Sequence, residues 1–134
     1  VFLVNVMGFT WDEVHEHAGG LGAGLNDRLT TRMAEMTGFP QRCPHGEPIP
    51  DQDGHLPEIS DVCIVNLGVG HQGTVSRIRT HEPEKLQYMA SLGLMPGTPF
   101  EILGRAPFNG PMRLRIGREE VVIGYELMKS LWVS

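Results

Sequence analysis

The side chains able to do chemistry in this chain are few and scattered. His15, Glu16 and His17 stand in a row, and Cys43, His45, Asp53 and His55 follow close together. Cysteine, histidine and carboxylate are the donors that hold zinc and its neighbours. Cys43 and His45 are only two residues apart in a proline-bound stretch, which is no usual zinc spacing, so a structural loop is the reading there. Cys43 and Cys63 fit neither a disulfide framework nor a zinc pattern, and read as two reduced thiols of a cytoplasmic protein. Gly68, Gly70 and Gly73 have no following lysine or helix to make a phosphate loop, so they read as turns and a bulge. His71 and His81 read as turn residues flanking strands. Asp12 and Glu13 suit the positive end of a helix, and Glu119 and Glu120 a hairpin edge. No Ser–His–Asp order, metalloprotease helix or paired-carboxylate site stands out, so no enzyme is expected.

Composition narrows the classes further. The chain has 134 residues, 40% of them hydrophobic and 20% charged, a balance that supports a packed domain. The net charge is −5, and the densest basic stretch, Arg113, Arg115 and Arg118, runs straight into two glutamates. A module that grips nucleic acid alone carries a basic patch, so direct DNA binding by these residues is not expected. No apolar run is long enough for a membrane span. The apolar opening VFLVNVMGF has no basic flank or cleavage site and is no signal peptide. It reads as the last turns of a helix begun upstream, which makes the chain a piece of a longer protein.

The elements that must position these residues follow from periodicity. Gly8 breaks the opening, and Thr10 with Glu13 forms a T-x-x-E capping box. Trp11, Val14, Ala18, Leu21 and Leu25 then recur at helical spacing, the expected dimerisation stripe. Gly19, Gly20, Gly22 and Gly24 interrupt it, each costing about 1 kcal/mol relative to alanine, so this helix is expected to be weak from Gly19 onward. Asn26 or Asp27 caps a second helix carrying Leu25, Leu29, Met33 and Met36, ended by Gly38. Five prolines between 39 and 58 predict an extended, stiff linker. From Ile59 the period becomes two. Strands are expected at 61–66, 73–79, 98–104, 111–116, 120–123 and 131–133, with helices at 83–92 and 125–129 and a hairpin turn at Asn109-Gly110. The sum is α+β: a helical segment (1–38), a proline-rich linker (39–58) and a small closed barrel (59–134).

This order of parts resembles a known family. GFTWDEVHEHA at 8–18 resembles the start of a helix in the diphtheria-toxin-repressor family of iron- and manganese-dependent repressors. CPHGEPIP at 43–50 resembles the proline-rich segment that follows that family's dimerisation helices, and LGVGHQGTVSRI through LGLMPGTPFEIL at 67–103 looks like its FeoA-type, Src-homology-like barrel. The resemblance covers nearly the whole chain. It implies a protein of three parts: a winged helix-turn-helix that reads DNA, a middle helical domain that dimerises and binds two metals, and a barrel that modulates the response.

The resemblance also implies a ligand set. The family's ligand positions fall here at 15, 19, 22 and 23, where it places Cys or Glu, then Glu, then His at the last three. This chain has His15, Gly19, Gly22 and Ala23. Fe²⁺ or Mn²⁺ is thus implied for the parent protein, while only His15 keeps a donor and no ion is expected at the principal site. The ancillary-site stretch of the family barrel corresponds to Arg77–Thr80, which offers no good ligand. A homodimer is implied, meeting DNA only through the winged helix and meeting no membrane. A second reading makes the barrel a FeoA-like interaction module of ferrous-iron transport, with the helices as an appendage.

Overall fold

The computed structural model describes residues 1–134. The elements run α1 (Phe2–Asn5), α2 (Val14–Gly22), α3 (Asp27–Met36), β1 (Val62–Cys63), a 3₁₀ turn (Ile64–Asn66), β2 (Gln72–Ile78), α4 (Pro83–Ser91), β3 (Pro99–Arg105), β4 (Met112–Ile116), β5 (Glu119–Ile123), α5 (Tyr125–Met128) and β6 (Leu131–Val133). No helix is long and apolar enough to cross a membrane.

The helix ends obey local chemistry. Glu13 Oε1 accepts from the Thr10 backbone N–H at 3.3 Å, so the carboxylate half of the capping box forms, but residues 11–13 stay a turn and α2 starts at Val14. α2 persists through Gly19 and Gly20 to Gly22 despite the glycine penalty. Asn26 caps α3, its side chain accepting from the Leu29 N–H at 2.9 Å. Pro83 sits at the start of α4, where its missing N–H is no loss.

All strand pairs are antiparallel, in the order β1-β6-β2-β3-β4-β5. β1 and β5 are therefore the two edges, and the sheet expected to close into a barrel stays open between them. Register shifts between Val75 and Arg77 and between Ile102 and Gly104 supply the bends. Ile64, Ile78, Leu86, Ile102, Leu114 and Leu131 are fully enclosed at the centre. The strand expected at 61–66 is shorter, because the chain turns at Ile64 and drops that side chain into the core. The left-handed positions of the β3–β4 hairpin are Phe108 and Asn109, one residue earlier than the Asn-Gly pair suggests. Gly110 is needed for space instead: a Cβ there would lie 2.6 Å from that of Ala106.

The proline-rich segment departs most from expectation. Residues 41–49 fold back on themselves, with Cys43 N–H bonded to Glu47 O, Gly46 N–H to Cys43 O and Ile49 N–H to Gln41 O. The turn lies on β2, where the Ile78 N–H donates to His45 O at 2.8 Å. Gly46 (φ +88°) is obligatory, since a Cβ would fall 2.2 Å from Ser76 O. Proline stiffness is used here to hold a compact turn, not an extended spacer.

Candidate functional site: the histidine cleft between helix and sheet

Trp11 fixes the helical segment onto the sheet. It is 7% exposed and belongs to the same hydrophobic core as Ile64, Leu86 and Met128. Trp11 and Val14 are thus buried within one chain, whereas Ala18 and Leu21 stay exposed and Leu25 is half-buried. Within one chain the burial of the stripe expected to dimerise changes at His15. Its first turn faces the sheet of its own chain, because the folded proline turn brings β2 close to it.

His15, His45 and His81 meet beside Trp11. The Trp11 and His45 rings lie 5.3 Å apart at 16°, His45 and His15 4.5 Å apart at 21°, and His15 and His81 4.0 Å apart at 25°. A cleft of about 500 Å³ opens at this column, lined also by Glu47, Arg79 and Thr80. His45 is 2% exposed, and both its nitrogens are engaged. Nε2 bonds the Trp11 carbonyl, which can only accept, so Nε2 carries the proton. Nδ1 then faces Cys43 Sγ at 3.7 Å as an acceptor. His15 Nε2 is buried with no partner in the chain. Burial, then the rings of His45 and His81, holds His15 below the ordinary histidine range. Burial also depresses His45, against the opposing pull of its bond to Trp11. Both rings are therefore held neutral.

An ion network braces the other wall. Asp61, with a side chain 2% exposed, accepts from Ser76 Oγ at 2.7 Å and from Arg77 Nη2 at 3.1 Å. Arg77 Nε lies 3.0 Å from Asp61 Oδ2 but is not aligned for a hydrogen bond. Glu47 bridges Arg77 at 3.2 Å and Arg79 at 3.1 Å. Both guanidiniums pack over Trp132, 5.3 and 5.2 Å from its ring. Arg42 Nη1 donates to Ser76 O and Oγ, each at 3.0 Å.

The ligand positions implied by resemblance fail a direct test of fit. Gly19, Gly22 and Ala23 are exposed and carry no donor, and a Cβ at Gly19 or Gly22 would meet nothing within 4 Å. That face of α2 offers open space where coordination needs side-chain oxygen or nitrogen. His15 keeps a donor but turns it into the histidine cleft. The loop residues considered for zinc separate: His45 lines the cleft with Cys43 against its Nδ1, while Asp53 and His55 gather with Asp51 in an exposed turn. Asp51 Oδ1 there accepts from the backbone N–H of Asp53 and of His55, both at 2.9 Å, which accounts for that cluster as a turn. His45 and His81 as partners of His15 escaped sequence reasoning. They lie on other segments, far off in sequence, and no spacing links them.

Comparison with known proteins bears on the whole chain. The pattern of the iron dependent repressor metal binding and dimerisation domain matches residues 1–51, and that of the FeoA domain matches residues 62–134. No curated protein matches. Among solved structures, a manganese-dependent transcriptional repressor in complex with manganese superposes at TM-score 0.94 with 38% identity, over 99% of this chain and 64% of its own. A second manganese-dependent transcriptional repressor gives TM-score 0.90 and 39% identity, over 98% of this chain and 73% of its own. IdeR of T. acidophilum gives 0.89 and 28%, over 99% and 61%. The chain thus spans just under two thirds of the first of these relatives.

Proposed function

The chain belongs to the metal-dependent transcriptional repressor family, and on that footing we propose that it is the dimerising and regulatory C-terminal part of such a repressor, acting in the cytoplasm and meeting DNA through a winged helix outside residues 1–134. Members of this family are transcriptional repressors, not enzymes. The observation that carries the reading is the superposition of helices, proline turn and sheet, in that order, on a manganese-dependent repressor over 99% of the chain.

The helical segment is the side that associates with a second copy. α3 has no buried residue, and it exposes Leu29 (49%) and Met36 (55%). Ala18 and Leu21 on α2 are also exposed, so both helices carry apolar side chains that one chain leaves uncovered. Fe²⁺ or Mn²⁺ is the ion of the parent function. The principal face of α2 holds no ion in this chain for want of donors, and His15 is the single family ligand position that keeps one. An ion bound in the parent would supply charge and cross-linking between segments, while the residues present here orient α2 against the sheet.

The test is the whole protein encoded by the reading frame around this chain. A winged helix is expected upstream of Val1, with sequence-specific DNA retardation by the purified product. The FeoA-like transport reading expects a frame opening near Val62 and no DNA binding. Trp11 already counts against it: a helical appendage would not contribute a tryptophan to the core of the sheet.

A further inference from the structure

Three segments far apart in sequence meet in one column of rings. His15 comes from α2, His45 from the proline turn, and His81 from the loop between β2 and α4. We propose that the Trp11–His45–His15–His81 column is the joint that fixes the start of α2 on the sheet, and that it closes without a divalent metal. The proposal rests on the reading above that the ligand face of α2 holds no ion.

The geometry of the rings carries the argument. Imidazoles that share one metal point their nitrogen lone pairs at a common centre. Here the rings lie nearly face to face, with tilts of 21° and 25°, so their lone pairs lie in roughly parallel planes. The contact between them is stacking. His45 has no nitrogen to offer, because Nε2–H is held by the Trp11 carbonyl and Nδ1 faces Cys43.

The remaining ties across the same seam run directly between this chain's own side chains. Gln87 Nε2 on α4 donates to Asp12 Oδ2 at 2.9 Å, and the Trp11 ring sits in the core. A relative whose α2 carried a full ligand set could couple metal to the placement of α2. In this chain the side chains of the column and seam already set that placement. The helix–sheet arrangement is then a fixed property of the chain, and the glycine-rich half of α2 beyond it is left uncoupled.

Hydrogen–deuterium exchange of the full chain, read peptide by peptide, tests this. In EDTA, residues 11–18 should exchange slowly, and excess Mn²⁺ should leave the pattern unchanged. His81 is exposed, so its replacement leaves the core intact. His81→Ala removes a ring and should speed exchange of 11–18 by about threefold to tenfold, with 99–123 unaffected. His81→Phe keeps a ring without a nitrogen and should stay close to wild type. The proposal is overturned if protection of 11–18 appears only with Mn²⁺, if the Phe variant is as loose as the Ala variant, or if the Ala variant matches wild type. Calorimetric binding of Mn²⁺ with unchanged exchange would overturn the reading of the ligand face and leave the joint standing.

Discussion

His45 donates its Nε2 proton to the backbone carbonyl of Trp11, a bond that spans 34 residues and joins the proline turn to the first turn of the helical segment. Both partners are buried, so losing the bond leaves an enclosed carbonyl unpaired. His45→Phe keeps an aromatic ring and removes the donor, and should lower stability by about 1–3 kcal/mol. Chemical denaturation followed by far-ultraviolet circular dichroism measures it, and a variant as stable as wild type would remove His45 from the account.

Acid should loosen the same region. His15 and His45 are both depressed from the ordinary value of 6.5, chiefly by burial, so the folded chain prefers the neutral rings. For a base shifted downward, stability is complete above that ordinary value and is lost as pH falls through the lowered ones. Melting temperature should therefore hold level above neutrality and fall from about pH 6.5 downward. In His15→Phe, which cannot charge at that position, the fall should be shallower. Equal slopes for variant and wild type would place the acid sensitivity elsewhere.

Two glycines should respond to alanine in opposite directions. Gly46→Ala meets Ser76 O at 2.2 Å in a left-handed conformation, and should cost more than about 3 kcal/mol or abolish folding. Gly19→Ala meets open space inside α2, and should stabilise the helix by up to about 1 kcal/mol. Paired urea melts decide both.

Asp61 should prove indispensable to the sheet beside the cleft. Its nearly enclosed carboxylate pairs with Arg77 and accepts from Ser76. Asp61→Ala leaves a mostly buried guanidinium with Glu47 as its one remaining acid, and should cost about 3 kcal/mol or more. A melt within experimental error of wild type would show that Glu47 alone suffices.

Much of this fold was legible in local pattern. Apart from β1, cut short at Cys63, the strands and the helices at 83–91 and 125–128 fall within a residue or two of their expected places, because period-two alternation and a proline at a helix start are local signals. Gly38 (φ +78°) ends α3 as read. What escaped is long-range. Periodicity shows that Trp11 must be buried but not against what, and the answer depends on a proline segment that folds into a turn where proline density suggested extension. His45 carries no signal of its own: CPHGEPIP reads as a loop, and only the bond to Trp11 and the stack on His15 give the ring its place.

α3 has no fully buried residue within its own chain, and it leaves Leu29 and Met36 open to solvent. A ten-residue helix is too short to be stable in water by itself. If its apolar stripe finds cover only on another molecule, the helix order of residues 27–36 becomes a term in the law of mass action. Mean ellipticity should then fall as the solution is diluted, while the near-ultraviolet signal of Trp132, braced by two arginines in the sheet, stays constant. One end of the chain would report its concentration, and the other would ignore it.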